Sequence, residues 1–242
     1  MRRSSEGVLP AEELYCERAP WDSRLGLEQV IEALEPWVTA ERKARLWSVI
    51  GARISSVTVV MDAPHDPHNA AAVVRTCEAF GLPEIHIVPR AEKPLMARSV
   101  SRGAEHWVDV TIHANPNAAI AALRAQGFTL VATHPSGELT KEDLAKVPRL
   151  ALLLGNEHDG LREELTRAAD HSVRIPMRGF VESLNVSVAA AVLLSAATEQ
   201  RAGDLALAHK RALYARGLYR SLPRAADLLI ARYPEVAARK PA

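Results

Sequence analysis

The chain has 242 residues, 48% of them hydrophobic and 24% charged, which is typical of a globular protein with one large domain or one domain with extensions. No apolar run approaches the roughly 20 residues of a membrane span, and the first ten residues lack a signal-peptide core. The two cysteines, Cys16 and Cys77, have no metal-ligand spacing and cannot build a disulfide framework, so a reducing, cytoplasmic location is expected.

Three basic clusters are hidden within a net charge of +1. One lies at 42–53 and a second at 90–102, and the third comprises nine Lys/Arg residues against three acidic residues from 201 onward. Such clusters are either solvated helix faces or a surface that binds phosphate groups. The candidate RNA contacts among them are Arg42, Lys43, Lys210, Arg211 and Arg216.

Short apolar runs alternate with helical patterns along the middle of the chain. After an appendage with a helix near 27–34, Thr39 is placed to cap a helix from 40 to about 52. The predicted strands are 57–61, 84–88, 106–112, 128–133, 150–154 and 172–175. The predicted helices between and after them are 69–80 with Asn69 as its cap, 115–126, 162–168 and an apolar helix from Ser183, with a helical turn at 143–146.

This alternation predicts an α/β domain with a mainly parallel sheet. The expected domains are an N-terminal helical extension at 1–55, the α/β domain at 56–202 and a basic helical extension at 203–242. The helix that follows Asn185 is apolar on all sides, so it is expected to be buried.

Ligands of parallel sheets bind at the carboxyl ends of the strands, which singles out loops 62–69, 133–140, 155–160 and 176–185. The first strand is followed by no G-x-G-x-x-G, and the chain contains no G-x-x-x-x-G-K-S/T. A Rossmann oxidoreductase and a P-loop nucleotide site are therefore disfavoured. His65 and His68, with Asp66 between them, lie in a proline-stiffened loop, and no further metal ligand is evident, so no metal is expected.

Three segments resemble, in order, the motifs of the SPOUT RNA methyltransferases, and more narrowly those of the TrmH branch. They are NAAAVVRTCEAFG (69–81), LLLGNEHDGL (152–161) and IPMRGFVESLNVSVAAAVLL (175–194), and the resemblance extends over about 40–202. It implies 2′-O-methylation of a ribose in tRNA with S-adenosyl-L-methionine, at guanosine 18 of the D-loop. It also implies a SPOUT-type fold with a C-terminal trefoil knot, and a homodimer with active sites at the interface.

The resemblance also implies roles for individual residues. The implied catalytic residues are Asn69, Arg75, Glu157, Ser183 and Asn185. The implied cofactor contacts, largely through backbone atoms, are Thr133, Gly155, Asn156, Glu157, Ile175, Met177 and Leu184. His158 and Asp159 depart from the residues that relatives often carry after the Asn-Glu pair.

The role of Arg75 has two interpretations. The family's proposed mechanism makes it the base that removes the ribose proton, yet a guanidinium has no acceptor atom and a pKa above ~12. The alternative is that Arg75 orients an RNA phosphate and stabilises charge. Two other functions also stay open, namely methylation of ribosomal RNA or another tRNA position, and RNA binding without catalysis, which would not require Arg75, Glu157 and Asn185 together.

Overall fold

The computed structural model describes residues 19–89, 103–156 and 158–236, apart from the side chain of Glu105. Cys16, the whole basic cluster at 90–102, and Glu157 lie outside the described residues. The strands are β1 Val57–Asp62, β2 Glu84–Val88, β3 Asp109–Ile112, β4 Thr129–Thr133, β5 Leu150–Leu154 and β6 His171–Val173. The α-helices of the described residues are α1 Leu27–Leu34, α2 Ala40–Gly51, α3 Pro67–Ala79, α4 Pro116–Ala125, α5 Glu163–Ala168, α6 Val186–Thr198, α7 Leu207–Ser221 and α8 Ala225–Arg232. Short 3-10 turns cover Glu35–Trp37, Ala104–His106, Lys141–Lys146 and Pro234–Val236.

The six strands form one sheet in the order β3-β2-β1-β5-β4-β6, and neighbouring strands run parallel. This confirms the predicted parallel α/β class. On β5, Leu150, Leu152 and Leu154 belong to the core under α3 and α6, whereas Ala151 and Leu153 belong to the core under α4 and α5. Both faces of the sheet are therefore covered, which explains the continuously apolar β5 sequence. The trefoil knot stays a prediction.

Helix α3 begins earlier than the sequence predicted. Asp66, not Asn69, is its N-cap, because the Asp66 carboxylate accepts the N–H of His68 at 2.8 Å and Pro67 occupies the first helical position. Proline at that position needs no hydrogen-bond partner for its nitrogen. Asn69 consequently lies within the first turn of α3.

Helix α6 begins at Val186, with Asn185 as its N-cap, and is buried on one side only. Ala190, Leu193, Leu194 and Ala197 pack into the core, whereas Val188 is 48% exposed. The prediction that this helix is buried all round was therefore wrong. An apolar composition makes burial favourable, but this chain covers only one face of the helix.

The described chain divides into two compact units, residues 53–203 and a unit formed by 19–52 together with 204–236. In the second unit the Trp47 ring stacks on Tyr214 with centroids 4.6 Å apart, and the Tyr214 hydroxyl donates to Glu35 at 2.6 Å. Helix α1 also packs against α7. The two segments that the sequence suggested as separate extensions thus form one helical unit.

No helix of the described residues has the length and hydropathy needed to cross a membrane.

Candidate functional site

Two predicted catalytic residues from distant parts of the chain meet at the carboxyl edge of the sheet. Asn185 Nδ2 donates to Asn69 Oδ1 at 3.1 Å. The orientation of the Asn185 amide is set by Ser187, whose backbone N–H and hydroxyl both donate to Asn185 Oδ1, at 2.8 and 2.6 Å. The cap of α6 therefore holds Asn69 in place, and the first and third motifs share one polar contact.

Arg75 lies on the exposed side of α3, whereas its neighbours Val73, Val74 and Cys77 are fully buried. Burial raises the pKa of the Cys77 thiol, as expected for an unreactive core residue. Within the described residues the Arg75 guanidinium forms no hydrogen bond or ion pair. Arg75 is thus a cation on a rigid helix with its donors available to a ligand.

The loop after β5 is a compact unit held by its own hydrogen bonds. The backbones of Asn156 and Gly160 pair in both directions, at 3.1 and 3.2 Å, and Asn156 Oδ1 accepts the N–H groups of His158 and Asp159. Gly155 passes so close to this turn that an added Cβ would lie 2.4 Å from the carbonyl carbon of Gly160. The predicted cofactor residues Gly155 and Asn156 therefore have structural roles that depend on their identity.

The loops after β1 and β5 also touch. The rings of His65 and His158 meet edge to face, with centroids 4.9 Å apart. This contact joins the loop that leads into α3 to the loop that the resemblance assigns to the cofactor. His158, where the chain departs from its relatives, thus lies at a junction between two predicted site loops.

The segment after β4 encloses the end of β6. The N–H of His134 donates to Val173 O at 3.0 Å, the N–H of Leu139 donates to Ser172 O at 2.8 Å, and an added Cβ on Gly137 would lie 2.5 Å from the carbonyl carbon of Val173. This close approach fixes where the chain leaves β6 toward Ile175. Thr133 is also in register with Val173, so the predicted cofactor residues Thr133 and Ile175 lie at the adjacent ends of β4 and β6.

A cavity of about 680 Å³ opens beside Thr133, a volume within the range of small-molecule sites. It is lined by Ala132, Thr133, His134, Pro135, Glu138, Asp159, Gly160, Leu161, Thr166, Ala169, Asp170, His171 and Ser172. Of the predicted cofactor residues that the structure describes, only Thr133 lines it. Ile175 is half-buried against the core, whereas Met177 and Leu184 are each 37% exposed, and Ser183 is exposed too.

The predicted RNA contacts differ in accessibility. Arg42 is exposed, and its Nε donates to Ser221 at 3.0 Å, whereas Lys43 and Lys210 are half-buried. Arg211 forms an ion pair with Glu28. Arg216 is only 5% exposed, so its inclusion among surface phosphate contacts is corrected, because α7 turns this side chain inward.

Two residues at the site escaped the sequence analysis. Asp62, the last residue of β1, is 1% exposed and bonds Arg162, which immediately precedes α5. The sequence signal that could have identified Asp62 is an ionisable residue at the end of a largely apolar strand.

Among the described residues, no group of three or more His, Cys, Asp or Glu side chains is arranged to hold a metal ion.

Comparison with known proteins gives consistent matches. The model of the SpoU rRNA Methylase family matches residues 56–195. A tRNA (guanosine(18)-2'-O)-methyltransferase of Thermus thermophilus is 38% identical over 167 residues, covering 67% of this chain and 84% of the relative. The crystal structure of a TrmH/SpoU tRNA-modifying enzyme of A. aeolicus aligns with a TM-score of 0.66 at 28% identity, covering 75% of this chain and 97% of that one. The SpoU methyltransferase AviRb of Streptomyces viridochromogenes, solved with AdoMet, aligns with a TM-score of 0.56 at 27% identity, covering 63% of each chain.

Proposed function

The chain belongs to the SpoU rRNA Methylase family, and on that premise we propose that it methylates the ribose 2′-hydroxyl of guanosine 18 in tRNA. The observation that carries the proposal is the Asn185–Asn69 hydrogen bond, which brings the first and third motifs together on the helix that exposes Arg75. The names of the curated relatives support the choice of tRNA and of guanosine 18.

S-adenosyl-L-methionine is the proposed methyl donor, and the site has features that suit it. Thr133 lines a cavity that has the volume of a small-molecule site, whereas Met177 and Leu184 do not line that cavity but expose apolar side chains that suit an adenine ring. We propose that these residues bind it together with Gly155, Asn156, Glu157 and Ile175. When bound, this cofactor supplies an electrophilic methyl group on a sulfonium centre.

The chain's own residues then position the RNA. Arg75 presents a planar, multi-donor cation suited to a phosphate beside the reacting ribose. Asn69 and Asn185, fixed by the α6 cap, are placed to orient the target nucleotide at the mouth of α3. Most of the rate is then due to positioning, because holding the reacting groups in line removes the entropy cost of their encounter.

The test is methylation of an unmodified tRNA transcript by the purified protein with S-adenosyl-L-methionine. Methyl incorporation should map to guanosine 18 and vanish when that nucleotide carries a 2′-deoxyribose. Methylation of ribosomal RNA fragments but not of tRNA would favour the ribosomal alternative. Binding of tRNA without incorporation into either RNA would instead indicate a non-catalytic RNA-binding protein.

We propose a cytoplasmic location, because the proposed substrate, tRNA, is found there.

We also propose that the protein is a homodimer. A patch of exposed apolar residues covers the loop after β6 and the start of α6, with Phe180 fully exposed, Val181 65% exposed and Val188 48% exposed. Exposed apolar side chains concentrated in one part of the chain suggest an interaction site, and the resemblance implies pairing through this part of the fold. Its position beside Asn185 would place the active sites at the interface.

Light scattering at micromolar concentration is expected to give twice the 26.4 kDa chain mass. Combining Phe180→Glu with Val188→Glu should shift the mass to that of the monomer, because two buried carboxylates would oppose association. Val49→Glu, at a 53% exposed apolar position of α2, is the matched control and should leave the mass unchanged. A monomeric wild-type protein would contradict the proposal.

The accessible basic residues Arg42, Lys43 and Lys210 are proposed to bind RNA phosphates with little base specificity. Replacing all three with glutamine should weaken tRNA binding and reduce the slope of log affinity against log salt by about one unit per lost contact. The measurement is tRNA affinity at several salt concentrations. Arg167→Gln, which removes an exposed arginine of α5, controls for net charge, and an unchanged slope in the triple variant would mean that the three are merely solvated.

A further inference from the structure

The strongest polar contact that the proposed chemistry does not yet use joins Asp62 to Arg162. Arg162 N donates to Asp62 Oδ2 at 2.6 Å, and Arg162 Nε donates to Asp62 Oδ1 at 2.6 Å. A second guanidinium nitrogen of Arg162, Nη2, donates to Val88 O at 3.0 Å. One arginine therefore ties together the carboxyl ends of β1 and β2, and both bonds to Asp62 are charge-assisted.

This contact is buried on the side of the carboxylate. The Asp62 side chain has no solvent exposure, and that of Arg162 is 22% exposed. Burying such a pair costs desolvation energy that attraction between the partners repays only in part, so it is a poor source of stability by comparison with apolar packing. Its effect is geometric, because it fixes the position of the backbone at residue 162 relative to the end of β1.

Residue 162 is one end of the loop after β5. The other end, Gly155, continues from β5, and the turn between them is held by the Asn156–Gly160 pairing and by the Asn156 side chain. These internal bonds define the shape of the loop. Its orientation then depends on where it is attached, at the strand β5 and at the Asp62–Arg162 contact.

We propose that Asp62 and Arg162 are a positioning pair that holds the 155–161 loop in the orientation in which it binds the cofactor. The inference rests on the proposed function, since it concerns the affinity of that site. Asp62 is the last residue of β1, and the segment that follows it leads to Asn69. The same contact therefore also sets the position of the 155–161 loop relative to the first motif. The His65–His158 ring contact joins these two segments a second time.

The experiment is calorimetric titration of the full-length protein with S-adenosylhomocysteine, the demethylated product, at a temperature well below each variant's unfolding transition. Asp62→Asn should raise the Kd at least tenfold, about 1.4 kcal/mol. An asparagine side chain has only one acceptor oxygen, and its NH2 group would face one of the two N–H donors of Arg162. Arg162→Lys should weaken binding as well, because an ammonium replaces neither Nε nor the bond to Val88 O. The double variant should show less than the sum of the two effects.

Glu163→Gln is the matched control. It removes the exposed Arg167–Glu163 pair one residue further along, at the start of α5, and should leave the Kd unchanged. In single-turnover methylation, most of the rate that Asp62→Asn loses at low cofactor concentration should be recovered at saturating cofactor, which separates loop positioning from a general loss of structure.

The outcomes are distinct. If the wild-type protein gives no binding signal, the cofactor part of the proposed function is wrong. If the wild-type protein binds while folded Asp62→Asn and Arg162→Lys bind within twofold of it, the positioning inference is overturned and the pair is only structural. Should Asp62→Asn fail to fold, Arg162→Lys and Arg162→Gln decide the question by the same criterion.

Discussion

Replacing Arg75 with alanine is expected to abolish methyl transfer to tRNA while leaving the fold and the cofactor affinity nearly intact. The side chain is exposed on α3 and forms no hydrogen bond or ion pair with another described residue, so its removal should cost little stability. Its proposed target is an RNA phosphate beside the reacting ribose, where loss of a desolvated, multi-donor contact lowers the rate rather than the stability. The measurement is single-turnover methylation of tRNA at saturating cofactor.

Arg75→Lys should recover little activity, because a point charge does not replace a planar fork of donors. Asn185→Ala provides a contrasting result, since it removes both the α6 cap and the bond to Asn69. It should slow turnover, raise the cofactor requirement and cost about 1 kcal/mol of stability. If Arg75→Ala methylates within a factor of about ten of wild type, a change of only ~1.4 kcal/mol, Arg75 is not central to the reaction.

If Arg75→Lys lowers the methylation rate but leaves its dependence on pH the same as in wild type, the result would favour the positioning role of Arg75 over the base role. A catalytic base imposes its own ionisation on the rate, whereas a phosphate-orienting cation that stays charged does not. The same single-turnover measurement, repeated across pH with Arg75→Lys, therefore tests the two interpretations that the sequence left open.

The strands were predictable because burial dictates their composition. The limits of β2 and β5 coincide with the predicted 84–88 and 150–154. β5 is uninterrupted apolar, whereas β2 combines three buried apolar residues with Glu84 and the buried His86. The start of α3 was missed because Asp66-Pro67 and Asn69 both offer capping signals within four residues. The proline decided between them, since it occupies the first helical position at no cost in hydrogen bonding.

The burial of Arg216 could not have been predicted from the helical period. All seven residues from 212 to 218 are buried, so this part of α7 is covered on every side rather than along one face. Counting basic residues gave a cluster, whereas the packing around the middle of α7 separates this arginine from the half-buried Lys210. Composition alone does not distinguish a charged surface from a charged residue held inside.

The contacts that build the candidate site could not be predicted from local sequence. Asn69 and Asn185 are 116 residues apart, and Asp62 and Arg162 are 100 residues apart. No periodicity or capping rule reaches across such separations; the first pair was grouped only through resemblance to a family. Asp62 and Arg162 are not among the residues that the resemblance grouped, and only the fold shows that they are in contact.

The second large effect is expected at Gly155, where alanine should destabilise the protein by about 3 kcal/mol and weaken cofactor binding. An added Cβ would lie 2.4 Å from the carbonyl carbon of Gly160 and 2.5 Å from the nitrogen of Leu161. Both are backbone atoms, so no side chain can rotate away to make room. The turn must shift instead, which strains the paired bonds between Asn156 and Gly160.

The measurement is urea unfolding of Gly155→Ala beside Gly179→Ala, a loop glycine whose added Cβ would meet no atom within 4 Å. The control should be neutral or slightly stabilising, because alanine reduces the freedom of the unfolded chain at a site that accepts it. Comparing the two variants separates the loss of space at Gly155 from the general effect of a glycine-to-alanine change. Equal midpoints and slopes for both variants would show that the turn after β5 relaxes without cost. The close approach of Gly155 to Gly160 would then set neither the stability of the domain nor the shape of the loop.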